Sequence, residues 1–183
     1  MKELSLHLLD LIQNAIEASA TKIQVDFYLS YQDDVMTLKV IDNGRGMDDK
    51  FKQQATDPFK TSRKTRKVGL GLSLLQMKAE QCDGDINISS SPWGQGTQVN
   101  ARFKYSHWDR PPLGKLSNTF ISILQGNPDL KLYFSYQVEN KLFKFSTEEI
   151  KEIVHQNAFR DLEVLMWVKQ YLEENITSLN GGD

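Results

Sequence analysis

The stretch Val40-Ile41-Asp42-Asn43-Gly44-Arg45-Gly46-Met47-Asp48 constrains this chain more than any other. It follows an alternation, Val35, Thr37 and Lys39 on one side against Met36, Leu38 and Val40 on the other, which predicts a half-buried strand. A strand that stops at Asp42 delivers one carboxylate to the rim of a sheet. Gly44 and Gly46 lack a Cβ, so the backbone there can adopt φ > 0 and a ligand can approach closely. Taken alone, the same residues read as a strand closed by an Asn43-Gly44 turn. The choice between turn and site depends on what precedes and follows.

Before it, residues from about Lys2 to Ser19 predict a helix, with Leu4, Leu8, Leu11, Ile12, Ala15 and Ile16 on one broad apolar face. His7, Asp10, Asn14 and Glu17 share a second stripe. Asp and Asn are mediocre helix formers, so such a stripe reads either as a solvated face or as residues kept for chemistry. An Asn carbonyl oxygen beside a carboxylate suits a hard cation such as Mg²⁺. Ser19 or Thr21 ends the helix, and Ile23, Val25 and Phe27 alternate as a first strand.

After it, residues 49–55 predict a short helix. Five basic residues then fall between Lys60 and Lys67 with no acid among them, the pattern of a solvated loop. Gly69 and Gly71 stand directly before an amphipathic helix carrying Leu72, Leu75, Gln76 and Ala79. A glycine turn entering a helix N-terminus offers free N–H groups and the positive end of the helix dipole to an anion. The segment is neither a Walker loop nor a dinucleotide fingerprint, because the required glycine and lysine spacings are missing. Asp83-Gly84 closes the helix. Ile86 and Ile88 predict a third strand, and Val99, Ala101 and Phe103 a fourth, joined by a glycine-rich turn at 91–97.

Bulk properties exclude some classes of function. A net charge of -2 argues against general nucleic-acid binding, which wants a basic surface. The single cysteine, Cys82, excludes an internal disulfide and fits a reducing, cytoplasmic compartment. No apolar run approaches membrane-spanning length.

The order of these features resembles the ATP-binding domain shared by gyrase B, the large heat-shock chaperone, histidine kinases and MutL-type repair proteins. An Asn-bearing first helix is followed by Asp-x-Gly-x-Gly, then Asp57-Pro58-Phe59-Lys60-Thr61-Ser62, Gly69-Leu70-Gly71-Leu72-Ser73 and Gly94-Gln95-Gly96-Thr97. The likeness covers residues 3 to 105 and is greatest to the catalytic half of histidine kinases. It implies an α+β fold, a two-layer sandwich of a mixed sheet covered by helices, that binds ATP and Mg²⁺. It implies that Asn14 ligates the Mg²⁺ and that Asp42 accepts a hydrogen bond from the adenine amino group. Gly44, Gly46, Met47 and Thr97 would lie around the base. Phe59 would anchor a lid, with Lys60 and Thr61 near the phosphates. Gly69, Leu70, Gly71 and Leu72 would offer backbone N–H groups to them.

The sequence departs from the pattern in places. Where the ATP-hydrolysing branches carry a Glu base four residues before the Asn, this chain has Asp10, a shorter acid that is the candidate catalytic residue. Lys67 stands where a glycine is often found, and the lid is short. No preceding helical hairpin with a phosphoacceptor His is expected, and His7 lies on the first helix itself. The expectation is therefore a kinase or ATPase module acting on a separate protein partner. The alternative is a non-catalytic, nucleotide-gated regulatory module.

His107-Trp108-Asp109-Arg110-Pro111-Pro112 breaks the pattern and sets an expected boundary between residues 1–106 and 107–183. Beyond it the sequence predicts a helix through Leu116 and Leu124, a hairpin turning at Glu139-Asn140, a capping box at Ser146–Glu149 and a last helix from about Asp161 to Leu179. In that last helix Leu162, Leu165, Met166, Lys169 and Leu172 fall near one side, with Trp167 and Tyr171 on a flank. The segment reads as a small α+β appendage.

Overall fold

Apolar residues at every second position make one face of each central strand a core face. Ile23, Val25, Phe27 and Leu29 of β1 (Lys22–Ser30) are buried, and so are Met36, Leu38 and Val40 of β2 (Val35–Asp42). The computed structural model describes residues 3–47, 70–90 and 96–181. Its elements continue with α1 (Leu4–Glu17) ahead of β1, then α2 (Leu70–Gln81), β3 (Asp85–Ser90), β4 (Thr97–Lys104), α3 (Leu116–Gly126), β5 (Lys131–Val138), β6 (Lys141–Ser146), α4 (Thr147–Ile153) and α5 (Leu162–Leu179). A 3-10 turn at Ala158–Arg160 precedes α5.

The six strands form one mixed sheet in the order β3-β4-β2-β1-β5-β6. All its pairings are antiparallel except β1 with β5, which run parallel from Lys22↔Lys131 to Leu29↔Val138. Parallel neighbours need a crossover, and α3 supplies it between β4 and β5. The helices line one face, with α1 contacting α2 and α3, and α3 contacting α5. The opposite face carries rows such as Asn87-Asn100-Lys39-Asp26-Ser135-Lys144, read across the register. Asp26 there accepts hydrogen bonds from Gln24 (2.8 Å) and Ser135 (2.6 Å). A polar row of this kind suits a sheet with one wet face, so the fold is the expected two-layer α+β sandwich.

The C-terminal segment is α+β as expected, and it extends this same sheet. β5 pairs along the length of β1, and Phe134 packs on Phe120 of α3 with ring centroids 4.6 Å apart. The sheet therefore continues across the boundary expected at residue 107. The last helix differs from its predicted face: Leu165, Val168, Leu172 and Ile176 are buried, whereas Leu162 and Met166 are exposed. A 3-4-4 spacing from Leu165 fits one narrow stripe, and the two outlying residues lie off it. Trp167 is half exposed and stacks on Tyr171 at 5.6 Å.

The start of α1 is held by the chain just after β4. No side chain among the described residues caps this helix. The N–H groups of Leu4 and Ser5 instead donate to the carbonyls of Pro112 (2.9 Å) and Leu113 (3.0 Å). Two of the unpaired donors of the helix N-terminus are thereby satisfied by a strap from far along the sequence.

Candidate functional site

Asp42 ends β2 as the alternation predicts, and its carboxylate is half-buried at the sheet rim. Oδ1 accepts the N–H of Gly44 at 2.8 Å. Burial raises the Asp42 pKa above the usual carboxylate value, and the backbone N–H groups of Gly44 and Thr97 oppose that rise. A carboxylate has about four acceptor positions, so these two backbone donors leave capacity for a ligand donor.

The loop after Asp42 is fixed on both sides. Asn43 Oδ1 accepts the N–H groups of Thr21 and Lys22, each at 2.9 Å, and its amide donates to Thr21 Oγ1 at 3.0 Å. Arg45 N–H donates to the carbonyl of Ala18, beyond the end of α1, at 3.0 Å. Gly46 has φ 75°, so the expected left-handed position is there. Just ahead of β4, Gly96 N–H donates to the Gly44 carbonyl at 3.0 Å. Ser90 Oγ accepts from Met47 N–H (2.8 Å) and lies 2.9 Å from Thr97 Oγ1. Asp42, Gly44, Gly46, Met47 and Thr97 are thus brought into one cluster.

Gly71 and Asp10 form a second cluster. A Cβ added to Gly71 would lie 2.9 Å from Asp10 Oδ2, so the acid stands against the first turn of α2. Burial raises the Asp10 pKa. Leu72 is buried in the core, so any contact it makes with a ligand is through its backbone. Asn14 lies one turn along α1 from Asp10, and Ala18 one turn further. A Cβ on Gly44 would lie 2.9 Å from the Ala18 carbonyl. Asp10, Asn14 and Ala18 therefore make a line about 12 Å long at 1.5 Å per residue, with Gly71 at one end and Gly44 at the other. Such a line suits an elongated ligand with an amine-bearing end and an anionic end.

His7 begins the same stripe but belongs to the core. It is 1% exposed, and neither ring nitrogen has a hydrogen-bond partner among the described residues. Burial, aided by nearby positive charge that includes Lys78, lowers its pKa from 6.5 to about 4. The expected residues Phe59, Lys60, Thr61 and Gly69, the Leu70 side chain and the helix at 49–55 lie outside the described residues.

Sequence reasoning missed Asn43 as a brace, Ser90 as a bridge and Ala18 as the link between the clusters. Asn43 carried a signal, but one that reads equally as a turn. Ser90 and Ala18 carried none, because their partners are distant in sequence.

Residues 2–107 match the model of the histidine kinase-, DNA gyrase B-, and HSP90-like ATPase family. Over 106 residues the chain is 34% identical to a putative sensor protein of Shewanella frigidimarina, covering 56% of this chain and 16% of that protein. Over 87 residues it is 34% identical to the signal transduction histidine-protein kinase AtoS of Escherichia coli, covering 46% and 14%. Tetrathionate sensor histidine kinase TtrS of Salmonella typhimurium is 32% identical over 106 residues, covering 56% of this chain and 17% of that protein. The chain thus spans about a sixth of the length of these relatives. Among solved structures, the N-terminal domain of a DNA repair protein shares the fold, with a TM-score of 0.51 at 16% identity over 80% of this chain and 52% of that one. No helix among the described residues is long and apolar enough to cross a membrane. The chain belongs to the histidine kinase-, DNA gyrase B- and HSP90-like ATPase family, and within it is related to the catalytic domains of histidine kinases.

Proposed function

We propose that this chain binds Mg-ATP and acts as a kinase or ATPase module on a separate protein partner. The observation that carries this reading is the line Asp10-Asn14-Ala18 along α1 and its C-cap, ended by Gly71 and by Asp42-Gly44. Asp42 would accept the adenine amino group, where burial strengthens a charge-assisted hydrogen bond. Gly44 and Gly46 would leave room for the base, with Met47 and Thr97 beside it. The glycine-started turn at Gly71 would leave the α2 backbone open to phosphate oxygens. Asn14 would hold the Mg²⁺. Mg²⁺ keeps several waters and takes ligand oxygens, so one protein oxygen fits its needs. When bound, it supplies charge neutralisation on the phosphates. Asp10 would orient the attacking water or hydroxyl. By family resemblance Lys60, Thr61 and the backbone of Gly69, Leu70 and Leu72 would complete the phosphate end. The two relatives named as kinases act in signal transduction or tetrathionate sensing, which supports a regulatory role for this chain, and the single cysteine fits a cytoplasmic setting.

Isothermal titration with ATP and Mg²⁺ tests the reading, wild type against Asp42→Asn. Asn retains an oxygen for Gly44 N–H but loses the charge. A charge-assisted bond contributes about 1.5–3 kcal/mol, so affinity should fall about 10- to 100-fold. Absence of wild-type binding at millimolar ATP overturns it. For the chemistry, Asp10→Ala and Asn14→Ala should each abolish ATP turnover and phosphate transfer to the partner; activity surviving both changes removes the kinase or ATPase reading.

One observation favours a second reading, a nucleotide-gated module without turnover. The Asp10 carboxylate faces the first turn of α2, where an acid favourably meets the helix dipole. In that role it would be a docking group displaced by phosphate. ATP binding with no turnover, in the presence or absence of partner, distinguishes this case.

A further inference from the structure

At the end of the sheet away from Asp42, a cavity of about 280 Å³ opens between the β1–β2 turn and the strap that holds α1. The register sets its distance from the nucleotide end. Asp42 pairs with Ile23 and Val35 with Ser30, seven residues away, or about 23 Å at 3.3 Å per residue. The walls are largely aromatic: Tyr31, Tyr105 and Tyr136, with Met36 and Leu113. Tyr31 and Tyr105 meet edge to face at 5.0 Å. Tyr136 is buried and donates its hydroxyl proton to Asn180 Oδ1 at 2.8 Å.

Arg110 is the only charged side chain among the described residues lining this cavity. Its guanidinium lies over the Tyr105 ring at 4.5 Å. Nε donates to the Tyr105 carbonyl at 2.7 Å, and Nη1 is directed at the Pro111 carbonyl (3.4 Å) and Met36 Sδ (3.7 Å). None of these partners is an anion, and Nη2 donates to none of the described residues. A guanidinium never deprotonates in a protein, and its flat fork matches a carboxylate. Here its position is fixed by two backbone carbonyls and a ring face before any ligand arrives.

A preset cation without a counter-charge, in an aromatic cavity just below the usual size range for ligand pockets, defines a ligand class. We propose that this cavity binds a small carboxylate with an apolar body about one ring in size, the carboxylate on Arg110 and the body between Tyr31, Tyr105 and Tyr136. This site is separate from the nucleotide end and independent of what happens there.

The probe is benzoate, titrated calorimetrically into the full chain against its neutral isostere benzamide. A ligand of this size should bind with Kd of about 0.1–1 mM, and benzamide at least about tenfold more weakly. Arg110→Gln should lose benzoate binding by about tenfold or more. Because Arg110 also braces the turn, Leu113→Phe provides a second variant that fills the cavity and leaves the guanidinium in place; it too should lose benzoate. Tyr31 and Tyr105 ring proton resonances should move with benzoate in wild type only. No benzoate binding at 10 mM, equal binding of benzamide, or wild-type affinity in a folded variant of either kind overturns the assignment.

Discussion

The carboxylate of Asp10 and the bare α-carbon of Gly71 stand in contact across α1 and α2: a Cβ on Gly71 would lie 2.9 Å from Asp10 Oδ2 and 3.2 Å from Asp10 Cβ. The contact sets a double-mutant prediction. Ala in place of Gly early in α2 gains up to about 1 kcal/mol of helix propensity. In wild type the clash with Asp10 offsets that gain, so Gly71→Ala should leave stability nearly unchanged. In an Asp10→Ala background the carboxylate contact is gone and only the tight 3.2 Å contact with the retained Cβ remains, so the same substitution should raise Tm, by up to about 4 °C. Thermal melts of the four proteins measure the coupling; strict additivity would show that the two residues do not meet.

His7 predicts a pH dependence of stability. Its pKa is about 4 in the fold against 6.5 unperturbed, so between those values the unfolded chain binds the extra proton. Stability then rises with pH across this window. Above pH 6.5 His7 is neutral in both states and nothing is lost. Below about pH 4 the full penalty applies, at most about 3 kcal/mol for a shift of this size. His7→Leu removes the titrating group and two buried nitrogens that have no partner among the described residues. Urea melts from pH 7 to pH 4.5 should show a steep loss of stability in wild type and a shallower one in the variant. Parallel curves would mean that His7 protonates freely in the fold.

His7 also shows where sequence reading stops. Its spacing to Asp10 and Asn14 placed it correctly on one stripe, but a helix stripe has no depth. The stripe passes from core at His7 to solvent at Glu17 because α2 and α3 both pack on α1. Alternation and turn residues made β1 to β4 readable, since those signals are local. The parallel pairing of β5 on β1 was not readable, because Lys22 and Lys131 meet only through a crossover. The site divides the same way. Asp42, Gly44 and Gly71 were visible as acid and glycine positions, whereas the braces Ser90 and Ala18 act through distant partners.

The two glycines nearest Asp42 should differ in tolerance. Gly96 has φ +74°, and a Cβ there would fall 1.9 Å from the Asp42 carbonyl oxygen. Backbone cannot yield as a side chain can, so Gly96→Ala combines left-handed strain with a collision. At Gly44 the nearest contacts of a Cβ are 2.9 to 3.0 Å, and one of them is the Asp42 side chain. Gly96→Ala should cost more than about 2 kcal/mol, a Tm fall of at least about 4 °C, and should weaken nucleotide binding by moving Asp42. Gly44→Ala should cost less in Tm yet still reduce binding, because it crowds the carboxylate directly. Equal Tm losses would reject this ranking.

Asn43 tests whether the loop is a passive turn or a brace. Its side chain accepts two N–H groups, from Thr21 and Lys22, and donates to Thr21 Oγ1. Its own N–H donates to the Lys22 carbonyl at 3.2 Å, so the loop is tied to the start of β1 through both side chain and backbone. Asn43→Ala removes the three side-chain bonds and keeps the backbone one. Each such bond contributes about 0.5–1.5 kcal/mol, reduced here because water reaches the exposed groups. The total should be about 1–2 kcal/mol, or a Tm lower by about 2–8 °C. Asn43→Asp keeps both acceptor roles, and the Thr21 hydroxyl can rotate to donate to it. The acid should therefore restore most of the loss, whereas a plain turn position would tolerate Ala and Asp alike.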